Sequence, residues 1–212
     1  MMKMTMVKLM SKTINVFVLF SVLSVLSACQ QNTKQTANET QKSAQQQSWK
    51  LNPEYSSISI ITTKNNSNAE VSNFTAFSGN ISADGQLSIS IDMNSLETNI
   101  PIRNERIQEH LFQTDIYQTA DINAQLKPED LTVGVHNISF DVDLHGLSAI
   151  MDAEFMVFEQ QGNKVVTLHK PLIIKAETFG LENGINTLKN LAKLQSIDYT
   201  VPLNLILNFQ AQ

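Results

Sequence analysis

The sequence predicts an all-β domain with minor helices: an eight-stranded antiparallel barrel carrying two short helical segments. Three observations lead there: apolar and polar residues alternate with period two, hairpin chemistry separates the alternating runs, and strands do not alternate with long helices. In "QLSISIDMN", Leu87, Ile89, Ile91 and Met93 share one face, with Ser88, Ser90, Asp92 and Asn94 on the other. "ISFDVDL" sets Ile138, Phe140, Val142 and Leu144 against Ser139, Asp141 and Asp143. "VPLNLILNF" aligns Val201, Leu203, Leu205, Leu207 and Phe209, interrupted only by Ile206. Such alternation marks an antiparallel sheet with one apolar face and one wet face.

Further strands are predicted over 55–64, 71–82, 120–126, 150–159 and 164–176, which makes eight. Asp84-Gly85, His145-Gly146 and Gly162-Asn163 separate neighbouring runs, as tight hairpins require. Two helical stretches interrupt the strands. The first, near 101–112, opens with Pro101, a residue favoured in a first turn. The second, near 184–194, places Ile185, Leu188, Leu191 and Leu194 along one side. Eight strands with one apolar face each must bury that face. A two-sheet sandwich and a closed barrel both satisfy the pattern, but closure also removes exposed edges, and an eight-stranded barrel can hold one elongated ligand.

The 212 residues carry a formal net charge of -5, with 42% hydrophobic and 17% charged residues, as in an ordinary globular protein. An acidic balance argues against nucleic acid as a partner, since such binders concentrate basic residues on one face. The N-terminus differs. Lys3, Lys8 and Lys12 precede the apolar run Ile14 to Ala28, which is too short for a comfortable membrane span but suits a secretory signal. Leu26, Ser27 and Ala28 before Cys29 resemble the lipobox, where a bacterial lipoprotein signal is cut and the cysteine acylated. Cys29 is the sole cysteine, so no intramolecular disulfide can form, and carrying acyl chains gives it a use. Loss of residues 1–28 would remove three lysines and no acid, taking the charge from -5 to -8. Gram-negative lipoproteins retained at the inner membrane commonly carry Asp after the cysteine, so Gln30 resembles an outer-membrane destination facing the periplasm. The segment 30–48 has no aromatic or branched aliphatic residue and reads as a tether, which leaves one domain over 49–212.

"RNERIQEHLF" crowds Arg103, Glu105, Arg106, Glu109 and His110 together. On a helix, Arg103, Arg106 and His110 fall on one side beside Ile107 and Leu111, while Glu105 and Glu109 turn away. The acids and the histidine therefore lack the geometry for general acid–base work. Two readings stay open: a solvated amphipathic helix capping the barrel, or a lid whose Arg103, Arg106 and His110 meet a ligand's polar end. No catalytic residue is expected. His110, His136, His145 and His169 are scattered without metal-ligand spacing, and no GxSxG occurs. The apolar faces, represented by Ile58, Ile60, Phe74, Leu87, Ile89, Ile91, Phe140 and Val142, either line a cavity or interdigitate as a solid core.

"WKLNPEYSSISIITTKN", "FTAFSGNI", "SLETNIPIRNERIQEHLF", "DLHG" and "LQSIDYTVPLNLILNF" together resemble the YceI-like family of exported bacterial proteins, in matching order from Trp49 to Phe209. The resemblance implies a lipocalin-like barrel whose interior holds a long polyisoprenoid chain. It also implies a binding or carrier protein for a prenyl-type or isoprenoid-quinone-like lipid rather than an enzyme, with no cofactor beyond that lipid. Gln118 and Asp121 depart from the family pattern, which more often has Pro and a small or apolar residue there; both bear on the loop entering a strand. The rival expectation is an envelope structural or interaction lipoprotein with a filled barrel. An enzyme acting on envelope lipid or carbohydrate is the third class.

Overall fold

A computed structural model describes residues 47–212; the segment read as a signal, Cys29 and the tether up to residue 46 lie outside the described residues. Eight antiparallel strands run up and down around a closed barrel. Strand β1 comprises Trp49–Leu51 and Ser57–Lys64, and β2 comprises Asn68–Phe74 and Phe77–Ile81. Strand β3 comprises Gln86–Asp92 and Leu96–Glu97, and β4 is Thr119–Gln125. Strands β5 (Gly134–Leu144) and β6 (Leu147–Gln160) are the longest hairpin. Strand β7 comprises Asn163–Leu168 and Leu172–Lys175, and β8 is Thr200–Ala211.

Each strand pairs with the next, and β8 returns to β1. It matches Trp49 with Ala211 and Leu51 with Phe209 at one end, and Ile58 with Leu205 and Ile60 with Leu203 towards the other. That pairing is the closure which periodicity alone left open against a sandwich. Four strands are broken, for local reasons. In β1 the turn Pro53–Tyr55 is capped by the Asn52 side chain, and Ser56 Oγ accepts from Asn208 N at 2.9 Å, stapling the break to β8. In β3 Asp92 caps the turn Met93–Ser95, accepting from Asn94 N at 2.9 Å. In β7 Pro171, which lacks an N–H, stands in the gap between the two segments. The predicted strands are thus all present, while the short segments Trp49–Leu51 and Leu96–Glu97 were not anticipated.

The turn chemistry also holds. Gly85 adopts φ 88°, and a Cβ there would lie 2.2 Å from the Leu126 carbonyl oxygen, so only glycine fits. Gln118 and Asp121 leave the neighbouring strand regular. Gln118 O accepts from Met93 N at 2.9 Å, and Asp121 pairs with Ser90 and Asp143 on the outer face.

Helices close one end. Helix α1 (Pro101–Ile107) passes directly into a π-helical turn, Gln108–Phe112, and together they fill the predicted 101–112. Helix α2 is Glu182–Leu191, so the expected 184–194 is shifted towards the N-terminus. The chain stops there because Lys193 takes φ 53° and the peptide N–H groups turn back: Lys193 N to Asn190 O at 3.1 Å and Leu194 N to Lys189 O at 3.0 Å. This is a Schellman-type end with lysine where glycine is usual. Gly184 sets the contact between the two covers: a Cβ on it would fall 2.7 Å from His110 O and 2.8 Å from Leu111 Cα. The β1–β2 turn grips the segment after α2, with Asn65 Oδ1 accepting from Gln195 N at 2.8 Å and Ser196 Oγ donating to Asn66 at 2.9 Å. Helix α1 is tied down by Arg103, which donates to Glu70 on β2 at 2.5 Å; Lys64 Nζ reaches the same carboxylate at 2.5 Å.

Two outcomes are expected from these ties. Lys193→Gly relieves a left-handed lysine, offset by glycine's freedom in the unfolded chain, so denaturant unfolding should show a gain of about 0.5–1 kcal/mol. Hydrogen bonding from Lys64 and the charges of Lys64 and Arg103 hold the Glu70 carboxyl below its ordinary value of 4.5, against a smaller effect of burial. A depressed folded value means the stabilisation is complete above pH about 4.5 and is lost as pH falls through that lower value. Thermal melts from pH 7 to 3 should therefore converge for the wild type and Glu70→Gln at the acid end. At neutral pH the variant should be weaker by no more than about 1 kcal/mol, since the pair is partly solvated.

Candidate functional site: an apolar cavity under a helical cover

The inward faces of the strands do not meet in the middle. They enclose a cavity of about 490 Å³ that runs from the helical cover to the loop joining β4 and β5. All eight apolar positions singled out from alternation line it: Ile58, Ile60, Phe74, Leu87, Ile89, Ile91, Phe140 and Val142. Every inward residue of β8 from Val201 to Phe209 joins them, and Ile206, the one break in that pattern, faces solvent. The walls are therefore a lined space rather than a solid core. Phe140 and Phe155 meet edge to face at 5.9 Å between centroids, one of the few aromatic contacts within the wall.

The ends differ. At the floor Ile81, Leu126, Leu131 and Phe209 narrow the space, with Asp130 and His136 also on the lining. Asp130 is held by Lys127 N at 2.8 Å and His136 Nε2 by Thr132 O at 2.8 Å. At the covered end, Phe179 is wholly buried on the wall, and Ile107, Leu111, Ile185 and Leu188 of the cover face inward. Lining residues that also meet solvent mark the opening. Ile100 and Ile102 are 40% and 52% exposed, and Ala192, just beyond α2, is exposed on the same lining.

The crowded charges sort themselves around this mouth. Arg103 and Arg106 line the cavity with Ile107 and Leu111, whereas Glu105 and Glu109 face a shallow outer groove beside Asn94 and Gln108. His110 does not join the arginines as helical spacing implied. It is absent from the lining, and within the π-helical turn that runs from Gln108 its ring stands 3.7 Å from Glu109. Three charged groups on the lining escaped sequence reading: Lys64, Asp130 and Asp198. A signal for Lys64 was present, because it continues the inward series Ile58, Ile60, Thr62. Asp198 follows irregular chain and carries no such signal. His145 instead serves the fold, packing on Tyr117 at 4.6 Å, with Nδ1 3.2 Å from Phe179 O.

Comparison with known proteins bears on this geometry. A search of curated proteins found no match. Among solved structures, a polyisoprenoid binding domain from Saccharophagus degradans, implicated in plant cell wall breakdown, is 33% identical; the match covers 77% of this chain and 98% of that one, with a TM-score of 0.74. BcnA of Burkholderia cenocepacia shares the fold at 15% identity, with 74% and 98% coverage and a TM-score of 0.62. A YceI protein of Campylobacter jejuni does so at 15% identity, with 66% and 84% coverage and a TM-score of 0.52. The YceI-like domain matches residues 49–209, the span from the first barrel strand to Phe209 at the floor, and the chain belongs to the YceI-like family.

Proposed function

We propose that this protein is a non-enzymatic binding or carrier protein for a long-chain polyisoprenoid or isoprenoid-quinone-like lipid. The observation that carries the proposal is the apolar cavity of about 490 Å³ lined by the inward faces of the strands and by the helical cover. Its size falls in the range of small-molecule sites. The related domain from Saccharophagus degradans, described as polyisoprenoid binding, supports the same reading. The chemistry is burial: ten shielded methylenes contribute roughly 8 kcal/mol gross, before the costs of association and ordering. The proposal further holds that Cys29 is acylated and anchors the protein at the outer membrane, with the barrel in the periplasm. The lipobox-like "LSAC" and Gln30 support that placement.

Native mass spectrometry of the protein purified from its own membranes, followed by organic extraction, tests the carrier reading. A near-stoichiometric prenyl lipid is the expected result; an empty barrel that takes up no lipid would favour a structural role instead. Ala120 is buried on the cavity wall, so Ala120→Phe projects a ring into the space. Displacing three methylenes of ligand removes about 2.4 kcal/mol of burial, so retention should drop about fiftyfold while the barrel still melts cooperatively. Cys29→Ala should move the protein from the membrane fraction to the soluble one, and unchanged sedimentation with membranes would contradict the anchor.

A further inference from the structure

The barrel wall is split along one seam. The first segment of β7, Asn163–Leu168, pairs with β6 from Gln160 to Phe155, and His169 N then donates to Glu154 O at 2.8 Å. There the ladder stops. From Thr167, opposite Ile206, to Leu172, opposite Leu203, β7 advances five residues while β8 advances three, and Pro171 stands in this bulge. The second segment, Leu172–Lys175, stays with β8 and leaves β6. Its Cα atoms lie almost throughout more than 8 Å from those of β6, against about 5 Å in a paired ladder. From Leu147 to Ala153, β6 is paired with β5 alone.

Two backbone edges face this gap. Alternate residues of a strand turn their N–H and C=O groups to the same side. Glu154 turns to β7, so Asp152, Ile150 and Ser148 do as well. Across the gap, Ala176 N donates to Tyr199 O at 2.8 Å, so Ile174 and Leu172 turn to β8, and Ile173 and Lys175 turn to the gap. Ile173 stands opposite Pro202, which has no N–H to offer it. Among the described residues, no backbone hydrogen bond engages Ser148, Ile150, Asp152, Ile173 or Lys175 on the gap side. The gap has two ends. The His169–Glu154 bond closes one, and at the other the turn Ala176–Phe179 is joined to the start of β6, where Phe179 O lies 3.2 Å from His145 Nδ1.

Its margins are apolar on both faces. Ile150 is 76% exposed, more than any other large hydrophobic residue among those described, and Leu147 and Ile173 are 48% and 45% exposed. On the inner side, Leu172 and Ile174 line the cavity, while Ala149 and Met151 pack against the core. An open strand edge is a template for another strand, and proteins ordinarily blunt it with charge or proline. Here Pro171 lies just outside the gap and Lys170 is held by Glu154 at 2.6 Å, so neither guards it. Two strands with a third between them stand about 10 Å apart, a spacing the parted segments accommodate.

We infer that this gap is a strand-insertion site for an extended segment of a partner protein, matching the four residues of Leu172–Lys175. Its backbone bonds to Ser148, Ile150 and Asp152 on one side and to Ile173 and Lys175 on the other. Because β6 and β7 run in opposite directions, it is antiparallel to one edge and parallel to the other. Its outward side chains lie between Ile150 and Ile173 and its inward ones between Met151 and Leu172, so β-branched or aromatic residues suit both faces. The unpaired backbone names this occupant: a lipid chain could cover the isoleucines but would leave the N–H and C=O groups unmet. Segment 30–48 of this chain has no aromatic or branched aliphatic residue to offer. The site is independent of what the cavity holds.

The test follows hydrogen exchange, residue by residue by NMR, in the full-length protein. Without a partner, the amides of Ile150 and Asp152 should exchange about a hundredfold faster than those of Ala149 and Met151, which pair with β5. The probe peptide acetyl-Lys-Thr-Val-Ile-Val-Thr-Lys-amide should slow Ile150, Asp152 and Ile173 about tenfold. The same peptide N-methylated at alternate residues should not, because it lacks the donors for one edge. Ile150→Glu should weaken the probe about fivefold while Ala149 and Met151 stay protected, which separates lost binding from lost folding. Equal protection of Ile150 and Ala149 in dilute protein would overturn the inference, since the seam would then be closed. So would a probe that slows none of these amides at its solubility limit, or an N-methylated peptide that binds as well, which would mark an apolar patch only. Protection that rises with protein concentration, together with a doubled mass, would give the gap to a second copy of this chain and overturn the assignment to a partner protein.

Discussion

The structure depends on the pairing of β8 with both of its neighbours. One edge of this strand meets the two segments of β1, and the other meets the two segments of β7. Side chains alternate with period two, so register decides which set of residues faces inward. A slip by one residue would exchange Leu203, Leu205 and Leu207 for Asn204, Ile206 and Asn208. The hydrophobic penalty of that exchange holds the register, and the register closes the ring. Closure pairs the first strand of the meander with the last, so neither is left as a free edge, which matters for a sheet this apolar on one side.

The cavity follows from the same closure. Eight tilted strands set an interior width that aliphatic side chains only partly span. Where the wall carries Ile, Leu and Val, opposite residues leave a gap; where Phe209 or Phe179 reaches in, the gap narrows. The upper end required a separate solution, because the strands stop there without closing the hole. Two helices are laid across it, and they approach so closely at Gly184 that a methyl group would collide with the backbone of His110 and Leu111. This fixes one side of the cover. The lining residues that are exposed, Ile100, Ile102 and Ala192, lie at the start of α1 and just beyond α2, and they mark an opening there.

Most of the barrel was legible in the sequence because alternation is a direct imprint of a sheet with one buried face. Leu87 to Met93, Ile138 to Leu144 and Val201 to Phe209 were each assigned their inward sets, and all of those side chains line the cavity or its floor. The breaks within strands were less legible, since they arise from single caps such as Asn52 and Asp92 that also occur in ordinary loops. The end of α2 was misplaced because its apolar spacing continues to Leu194, while the helix stops on the left-handed Lys193, a residue with no turn signature. The π-helical turn over Gln108–Phe112 likewise has no signature in the spacing, and His110 within it stands off the lining. Hollowness was not legible at all. Solid and lined cores use the same residues, and only their distances differ.

Apolar burial has little direction, and by itself it would let a greasy chain enter either way round. Direction has to come from polar groups placed unequally at the two ends. Here the floor carries Asp130 and His136, each already engaged by backbone, while the mouth carries Lys64 and Arg103 on the single carboxylate of Glu70, with Arg106 and Asp198 on the lining beside them. The asymmetry is built by ordinary means. Lys64 reaches the rim because β1 keeps its alternation two steps beyond its apolar residues, through Thr62, and the arginines reach it because α1 is tethered through Arg103 to Glu70. The contact that holds the cover down also uses up the charge of Arg103 and leaves Arg106 as the group facing the space. Cover, mouth and polarity of the cavity are thus one arrangement, and a change at Glu70 would alter all three.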